Sequence, residues 1–263
     1  MTSDQGDGQL AAGGVRLEVA GAAATVTLAR PERRNAMTPA TWHALAAVRA
    51  LLPEEVRVVV LRGEGPSFCA GIDLRMFAPG GIADEAALDP ADPDLDRVIA
   101  GYQAGYLWLR DPAFVSVAVV QGHAIGAGFQ LALACDLRIL AEDAKLCMKE
   151  PSLGLVPDLT GTKPLVDIVG LPRAIEICLT SRTISAGEAL MLRLAELVVP
   201  GGELDATVAD LTAALLAADP AAARATKALL THAVGAGLAE QAAAERRAQA
   251  ELLRARAGIT RPA

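Results

Sequence analysis

Aromatic side chains are scarce. Phe, Trp and Tyr together make up 3% of the 263 residues, so a core must be built mostly from Ala, Val, Leu and Ile. Positive charge is not in excess either: 24 Lys and Arg stand against 31 Asp and Glu, a net charge of -7. Neutralising phosphates along a nucleic acid needs a basic face, so no nucleic-acid partner is expected for the chain as a whole. No apolar run approaches the ~18 residues of a membrane span. The opening MTSDQGDGQLAAGG has neither a basic n-region nor an apolar h-region and does not read as a signal peptide. Cysteine is limited to Cys69, Cys135, Cys147 and Cys178, with no C-x-x-C. None sits at zinc-ligand spacing beside His43, His123 or His232, and no H-E-x-x-H occurs. No metal site is expected, and the thiols read as buried and reduced in a cytoplasmic protein. Also missing are the G-x-S-x-G elbow, the G-x-x-x-x-G-K-[ST] phosphate loop and a complete G-x-G-x-x-G, since GAGFQL breaks the last at its final position. These absences disfavour hydrolase, NTPase and dehydrogenase chemistry.

What is present is a globular composition, 52% hydrophobic and 21% charged, with enough chain for one large domain or two small ones. Residues 1–14 read as a loose tail. Residues 15–20 and 25–29 flank Gly21 as a β-hairpin. Thr38-Pro39 is a cap followed by proline at the first helical position, predicting a helix through WHALAAVRALL. Residues 56–63 and 114–122 are continuous apolar runs and predict buried central strands. A short helix is expected near Asp73, a flexible surface segment over 78–93 that helps shape a pocket, and a helix over 94–110. Two short strands fit 137–150. LVVP at 197–200 is strand-like, and 204–218, 220–234 and 239–256 read as Ala/Leu helices. Alternating strands and helices make this an α/β chain. Residues 1–200 form the expected core and 201–263 a helical C-terminal region.

One internal echo bears on function. VVVLRGEGPSFCAGIDL and VAVVQGHAIGAGFQLAL share a plan of buried strand, glycine, small-residue loop and helix start. Each places free backbone N–H groups at a helix N-terminus. Two such junctions could aim two donors at one point, the arrangement of an oxyanion hole.

ARPERRNAMTP, FCAGIDL, GHAIGAGFQLALACDLRI and KEPSLGLVPDLTGT, in that order over roughly residues 15–200, resemble the crotonase (enoyl-CoA hydratase/isomerase) superfamily. The resemblance implies a spiral of repeated ββα units, with C-terminal helices making a homotrimer or a dimer of trimers. It implies an acyl-CoA thioester substrate and no separate cofactor, coenzyme A being part of the substrate. The thioester enolate would be held by the N–H groups of Ile72 and Ala127. The stretch Ala70, Gly71, Ile72, Asp73, Leu74 and Arg75 would line the coenzyme A channel, with Gly126 small enough for close approach. Arg30 and Arg33, beside Arg34, would meet the phosphates.

Hydratases of this family use two glutamates. Here the first position is Gln130, which can hold a water but does not exchange a proton near neutrality. The second is Glu150. Asp158, eight residues later, resembles the spacing of dienoyl-CoA isomerases of the family. Simple enoyl-CoA isomerases of the family work with a single glutamate at the Glu150 position, so the resemblance with one retained carboxylate implies double-bond isomerisation, in which Glu150 would remove a proton from the α carbon and return it at the γ carbon. Hydration by Glu150 with a water on Gln130 is the alternative, and a non-catalytic acyl-CoA binding protein is a third reading. Plainer roles compete at each residue: Glu150 in an ion pair with Lys145 or Lys149, Asp158 as cap of a helix starting near Thr160, Asp73 as a helix cap, Asp136 as structural, His123 as packing and the arginines as a solvated face.

Overall fold

The computed structural model describes residues 3–77 and 92–258. In chain order the elements are α1 (Ser3–Ala12), β1 (Val15–Ala20), β2 (Ala23–Leu28), α2 (Pro39–Leu51), β3 (Val58–Gly63), α3 (Leu95–Leu107), β4 (Val115–Val120), β5 (His123–Ile125) and α4 (Ala127–Ala134). There follow β6 (Leu137–Ala141), β7 (Lys145–Cys147), α5 (Thr162–Val169), α6 (Leu171–Thr180), β8 (Ile184–Ser185), α7 (Ala186–Met191), β9 (Leu197–Val199), α8 (Leu204–Ala217), α9 (Pro220–Ala233) and α10 (Leu238–Arg256).

The main sheet runs β1-β2-β3-β4-β6-β9. Its first pair is an antiparallel hairpin turning at Gly21, where φ is +59°; the other pairings are parallel. A second sheet, β5-β7-β8, stands beside it. Strand periodicity divides the core into two. Val59 and Leu61 of β3 and Ala118 and Val120 of β4 pack with Trp42, Leu45, Tyr102 and Tyr106 from α2 and α3. Their neighbours Val58, Val60, Val117 and Val119 face the other way and meet Leu204, Val208 and Leu211 of α8. Both faces are covered, which is why these strands read as unbroken apolar runs.

The helical C-terminal region therefore begins on the sheet itself. Lys227 of α9 extends this attachment, donating to Asp136 Oδ2 at 2.7 Å and to the carbonyls of Asp111 at 2.8 Å and Phe114 at 2.7 Å. Asp136 also accepts from Ser116 N and Oγ, so its role is structural. Among the described residues, no single helix is long and apolar enough to cross a membrane.

Three local expectations are corrected. The opening segment, from residue 3 onward, is not a loose tail: it forms α1, with Leu10 buried and Gly6 against Leu51 of α2. Glycine lowers helix propensity but permits this close approach. The loop expected between the second buried strand and its helix contains a separate strand, β5. Among the described residues the first echoing junction leads into a 3-10 turn, Leu74–Phe77, where the echo with the second junction predicts α-helix. The expected pocket-shaping segment over 78–93 falls almost wholly outside the described residues.

Candidate active site

Two strand-to-turn junctions form the walls of a cleft. At the first, residues 69–73 are held from both sides. Cys69 N donates to His123 O and Cys69 O accepts from Ile125 N; Ala70 N donates to Arg34 O, Gly71 O accepts from Met37 N, and Asp73 N donates to Met37 O. Cys69 Sγ lies 3.3 Å from Gly71 N and 3.1 Å from Asn35 O. This bonding leaves the Ile72 N–H with no acceptor among the described residues. Its freedom comes from one-sided pairing with Met37, not from a helix N-terminus.

The second wall follows β5. Gly126 adopts φ +50° and ψ -117° and donates to Cys147 O, and the next residue starts α4. The first hydrogen bond of that helix runs from Gln130 N to Gly126 O, so Ala127 N–H is an unpaired first-turn donor. The walls touch: a Cβ on Gly71 would lie 2.7 Å from Ile125 O, and one on Gly126 would lie 3.0 Å from Glu150 Oε1.

Between them opens a cavity of about 330 Å³, lined by Ala70, Gly71, Ile72, Leu74, Gly126 and Glu150 among others. Glu150 heads a 3-10 turn after β7 and is 5% exposed. Its Oε1 accepts from Gln130 Nε2 at 2.6 Å, and its buried Oε2 has no hydrogen-bond partner. Burial pushes the Glu150 carboxyl above the ordinary range; hydrogen bonding opposes this and the negative charge of Asp158 adds to it. Asp158 is half-buried, and burial raises its carboxyl too.

The other expected residues lie around this centre. Gln130 is fully buried rather than open to pocket solvent. Its carbonyl oxygen accepts from Leu159 N at 2.9 Å and Gly161 N at 3.2 Å. Asp158 caps no helix: α5 starts at Thr162 after Gly161, and the Asp158 carbonyl accepts from Gln103 Nε2. Asp73 caps the 3-10 turn through Arg75 N and pairs with the Arg75 and Arg30 guanidiniums. Arg30, Arg33, Asp73, Arg75, Ala127, Gln130 and Asp158 do not line the cavity; Ala127 directly follows Gly126, which does. Arg33 and Arg34 are exposed. His123 Nδ1 meets Ser67 Oγ at 3.2 Å, away from Glu150 in a separate hollow.

Sequence reasoning missed Cys147, Lys149, Ser181 and Thr183, which also line the cavity. Lys149 was visible only as an ion-pair candidate; Ser181 and Thr183 arrive from beyond α6 with no local motif. Burial pushes the Cys147 thiol up, which disfavours a nucleophilic thiolate. Among the described residues no three His, Cys, Asp or Glu side chains gather where a metal ion could sit. The cleft thus has in its walls two main-chain N–H groups without acceptors among the described residues and, at its edge, one desolvated carboxyl, the group types that oxyanion binding and proton transfer need.

Comparison with known proteins finds relatives over most of the chain. The family model described as enoyl-CoA hydratase/isomerase matches residues 18–260. The crystal structure of a candidate enoyl-CoA hydratase from Thermobifida fusca YX is 58% identical, covers 95% of this chain and 96% of its own, and superposes with a TM-score of 0.92. That protein has also been solved with CoA and with acetoacetyl-CoA. The peroxisomal Delta(3,5)-Delta(2,4)-dienoyl-CoA isomerase of Arabidopsis thaliana is 34% identical over 179 residues, 67% of this chain and 64% of its own length. The peroxisomal bifunctional enzyme of Danio rerio is 38% identical over 177 residues, 66% of this chain. That match spans only 22% of the zebrafish protein.

Proposed function

The chain belongs to the enoyl-CoA hydratase/isomerase family, and from that premise we propose that it is an enzyme that binds an acyl-CoA thioester in the cleft and moves its double bond. The carrying observation is Glu150 Oε2, a buried carboxyl oxygen without a partner at a cavity edge, beside an uncharged Gln130. In this reading the thioester oxygen accepts from Ile72 N and Ala127 N. Glu150 takes a proton from the α carbon of a 3-enoyl-CoA. The electron pair delocalises through the double bond to the thioester oxygen, and the same proton returns at the γ carbon to give the 2-enoyl-CoA. Two preorganised amides supply about 3 kcal/mol each by the precedent of other oxyanion holes.

The coenzyme A complexes of the Thermobifida protein support the ligand class. The exposed Leu171, Ile175 and Leu179 of α6 and Leu190 and Met191 of α7 fit the assembly into a trimer or dimer of trimers. Four free cysteines fit a cytoplasmic location.

Hydration is the second reading, favoured by Asp158, whose charge is felt at Glu150 and which could supply a second acid. A water on Gln130 has less support, because both ends of its amide are already engaged. The test offers 3-enoyl-CoA and crotonyl-CoA side by side. Conversion of the first to the 2-enoyl product, lost in Glu150→Gln, supports isomerisation; hydration of crotonyl-CoA without that conversion overturns it. Coenzyme A complexes without turnover of either thioester would return the chain to a binding role.

A further inference from the structure

The two oxygens of an isolated carboxylate are equivalent, but those of Glu150 are not. We propose that Gln130 is a positioning residue whose locked amide keeps Glu150 Oε1 permanently an acceptor, so that Oε2 alone takes and returns the substrate proton. This rests on the reading of Glu150 as the base.

The lock comes from the other end of the amide. Gln130 Oε1 receives two main-chain donors, Leu159 N–H and Gly161 N–H. Rotating the amide by half a turn would set its NH2 group against both of them and its carbonyl against a carboxylate. In a fully buried position that leaves several polar groups unsatisfied, with no water to replace the lost partners. The loop is also pressed onto the side chain: a Cβ at Gly161 would lie 2.5 Å from Gln130 Cγ, so there is little room for the amide to swing aside. With the NH2 group fixed on Oε1 at 2.6 Å, a proton on that oxygen would face another donor. The protonated form of Glu150 therefore carries its hydrogen on Oε2, the oxygen without a partner. The same amide joins the base to the loop bearing Asp158, so the proton site and the second acid share one anchor.

A glutamate at this position would behave differently. One of its oxygens could still accept from Leu159 and Gly161, but the other would face Glu150 Oε1 at hydrogen-bond distance. Two carboxylates so placed do not both ionise; they hold a shared proton and titrate as a pair.

The experiment compares Gln130→Met and Gln130→Glu with wild type, following 3-enoyl-CoA isomerisation across pH. In Gln130→Met, kcat is expected to fall roughly 10–100-fold, with KM within about threefold. The acidic limb of the kcat profile should move to higher pH, because the ionised base has lost a donor. Gln130→Glu keeps an acceptor for the two loop amides, and its acidic limb should also move up, because a second buried carboxyl disfavours ionisation of Glu150. Should Gln130→Met fail to fold, Gln130→Glu decides alone. A lowered melting temperature with both limbs unmoved means a purely structural role and overturns the proposal. Crotonyl-CoA hydration gained by Gln130→Glu would put position 130 in contact with substrate and overturn it equally. Glu150→Gln separates the two readings. If it is inactive while the Gln130 limbs stay still, the base stands and this inference alone fails; if it turns over at the wild-type rate, both fall.

Discussion

The Tyr106 hydroxyl lies 3.3 Å from the carbonyl oxygen of Ala127 and 3.3 Å from Met37 Sδ. Ala127 begins α4 and carries one of the two unpaired amides. Met37 is the residue whose main chain brackets Ile72, which carries the other. One fully buried hydroxyl thus touches both walls of the cleft, and Trp42 Nε1 donates to it at 3.2 Å. The relative placement of the two amides is a property of the α2–α3 core as much as of the loops that carry them.

Tyr106→Phe tests this link. It removes the hydroxyl with little change in packing volume and leaves Trp42 Nε1 buried without its acceptor. Thermal or denaturant unfolding should register a loss of about 1–3 kcal/mol. If Tyr106 sets the cleft, kcat should fall several-fold while KM moves little; an unchanged kcat in a merely destabilised protein would confine the residue to packing.

How much of this was legible depended on whether the signal was local. Thr38-Pro39 announced α2, and Thr38 N duly donates to Thr41 Oγ1 in the first turn. The alternating division of β3 and β4 followed from unbroken valine runs. Glu150, Gly126 and Ile72 were reachable because short motifs carry them. Gln130 was visible as a replaced acid, but its burial and its grip on Leu159 and Gly161 depend on a loop about thirty residues away in sequence. Tyr106 gave no signal, being one aromatic in a helical stretch. Asn35, buried at φ +56°, ties Arg30 N to the carbonyls of Glu64 and Ser67, and only the turn-forming character of Asn hinted at it. β5 was hidden because three residues between glycines are too short to show a period.

Glu150 gives a prediction with an unusual sign. Burial is the largest influence on its carboxyl and raises it in the folded state. A carboxyl raised on folding contributes stability that is fully present below the unfolded value and lost as pH rises through the folded value. The ionised carboxylate is thus a burden at neutral pH. Glu150→Gln should melt at a higher temperature than wild type at pH 7, and this advantage should vanish near pH 4. The same variant should lose roughly 100–10,000-fold in turnover if Glu150 is the general base. Unfolding and kinetics on one pair of samples check both.

Asp73 gives the opposite sign. The Arg75 guanidinium beside it, with Arg75 N and Arg30, holds its carboxyl down at about 2. Stability from this group is present above the ordinary carboxylate value and is lost as pH falls through about 2. Arg75 is half-exposed, so solvent screening limits the contribution to on the order of 1 kcal/mol. Asp73→Asn should be less stable than wild type at pH 7, with the difference closing as unfolding is measured at progressively lower pH. High salt should shrink it as well.

Gly126→Ala probes the point where backbone conformation and chemistry meet. At φ +50° and ψ -117° an L side chain is strained, and the new Cβ would lie 3.0 Å from Glu150 Oε1 and 3.3 Å from its Cδ. Strain of this kind costs about 1–3 kcal/mol. The substitution can relax by turning Gly126, which shifts the Ala127 N–H, or by displacing Glu150, which shifts the proposed base. If Ala127 N–H and Glu150 act as proposed, both routes damage catalysis, and activity should fall even where a milder temperature restores the folded state. Gly154→Ala is the control: its φ is +74°, but a Cβ there meets nothing within 4 Å. Gly126→Ala should lose more stability in thermal unfolding, because Gly154 at φ +74° and ψ 19° lies in the left-handed helical region open to L residues and Gly126 does not, and only Gly126→Ala should lose turnover. Equal losses of turnover would mean that strain alone, and not the proximity of Gly126 to Glu150, accounts for the effect.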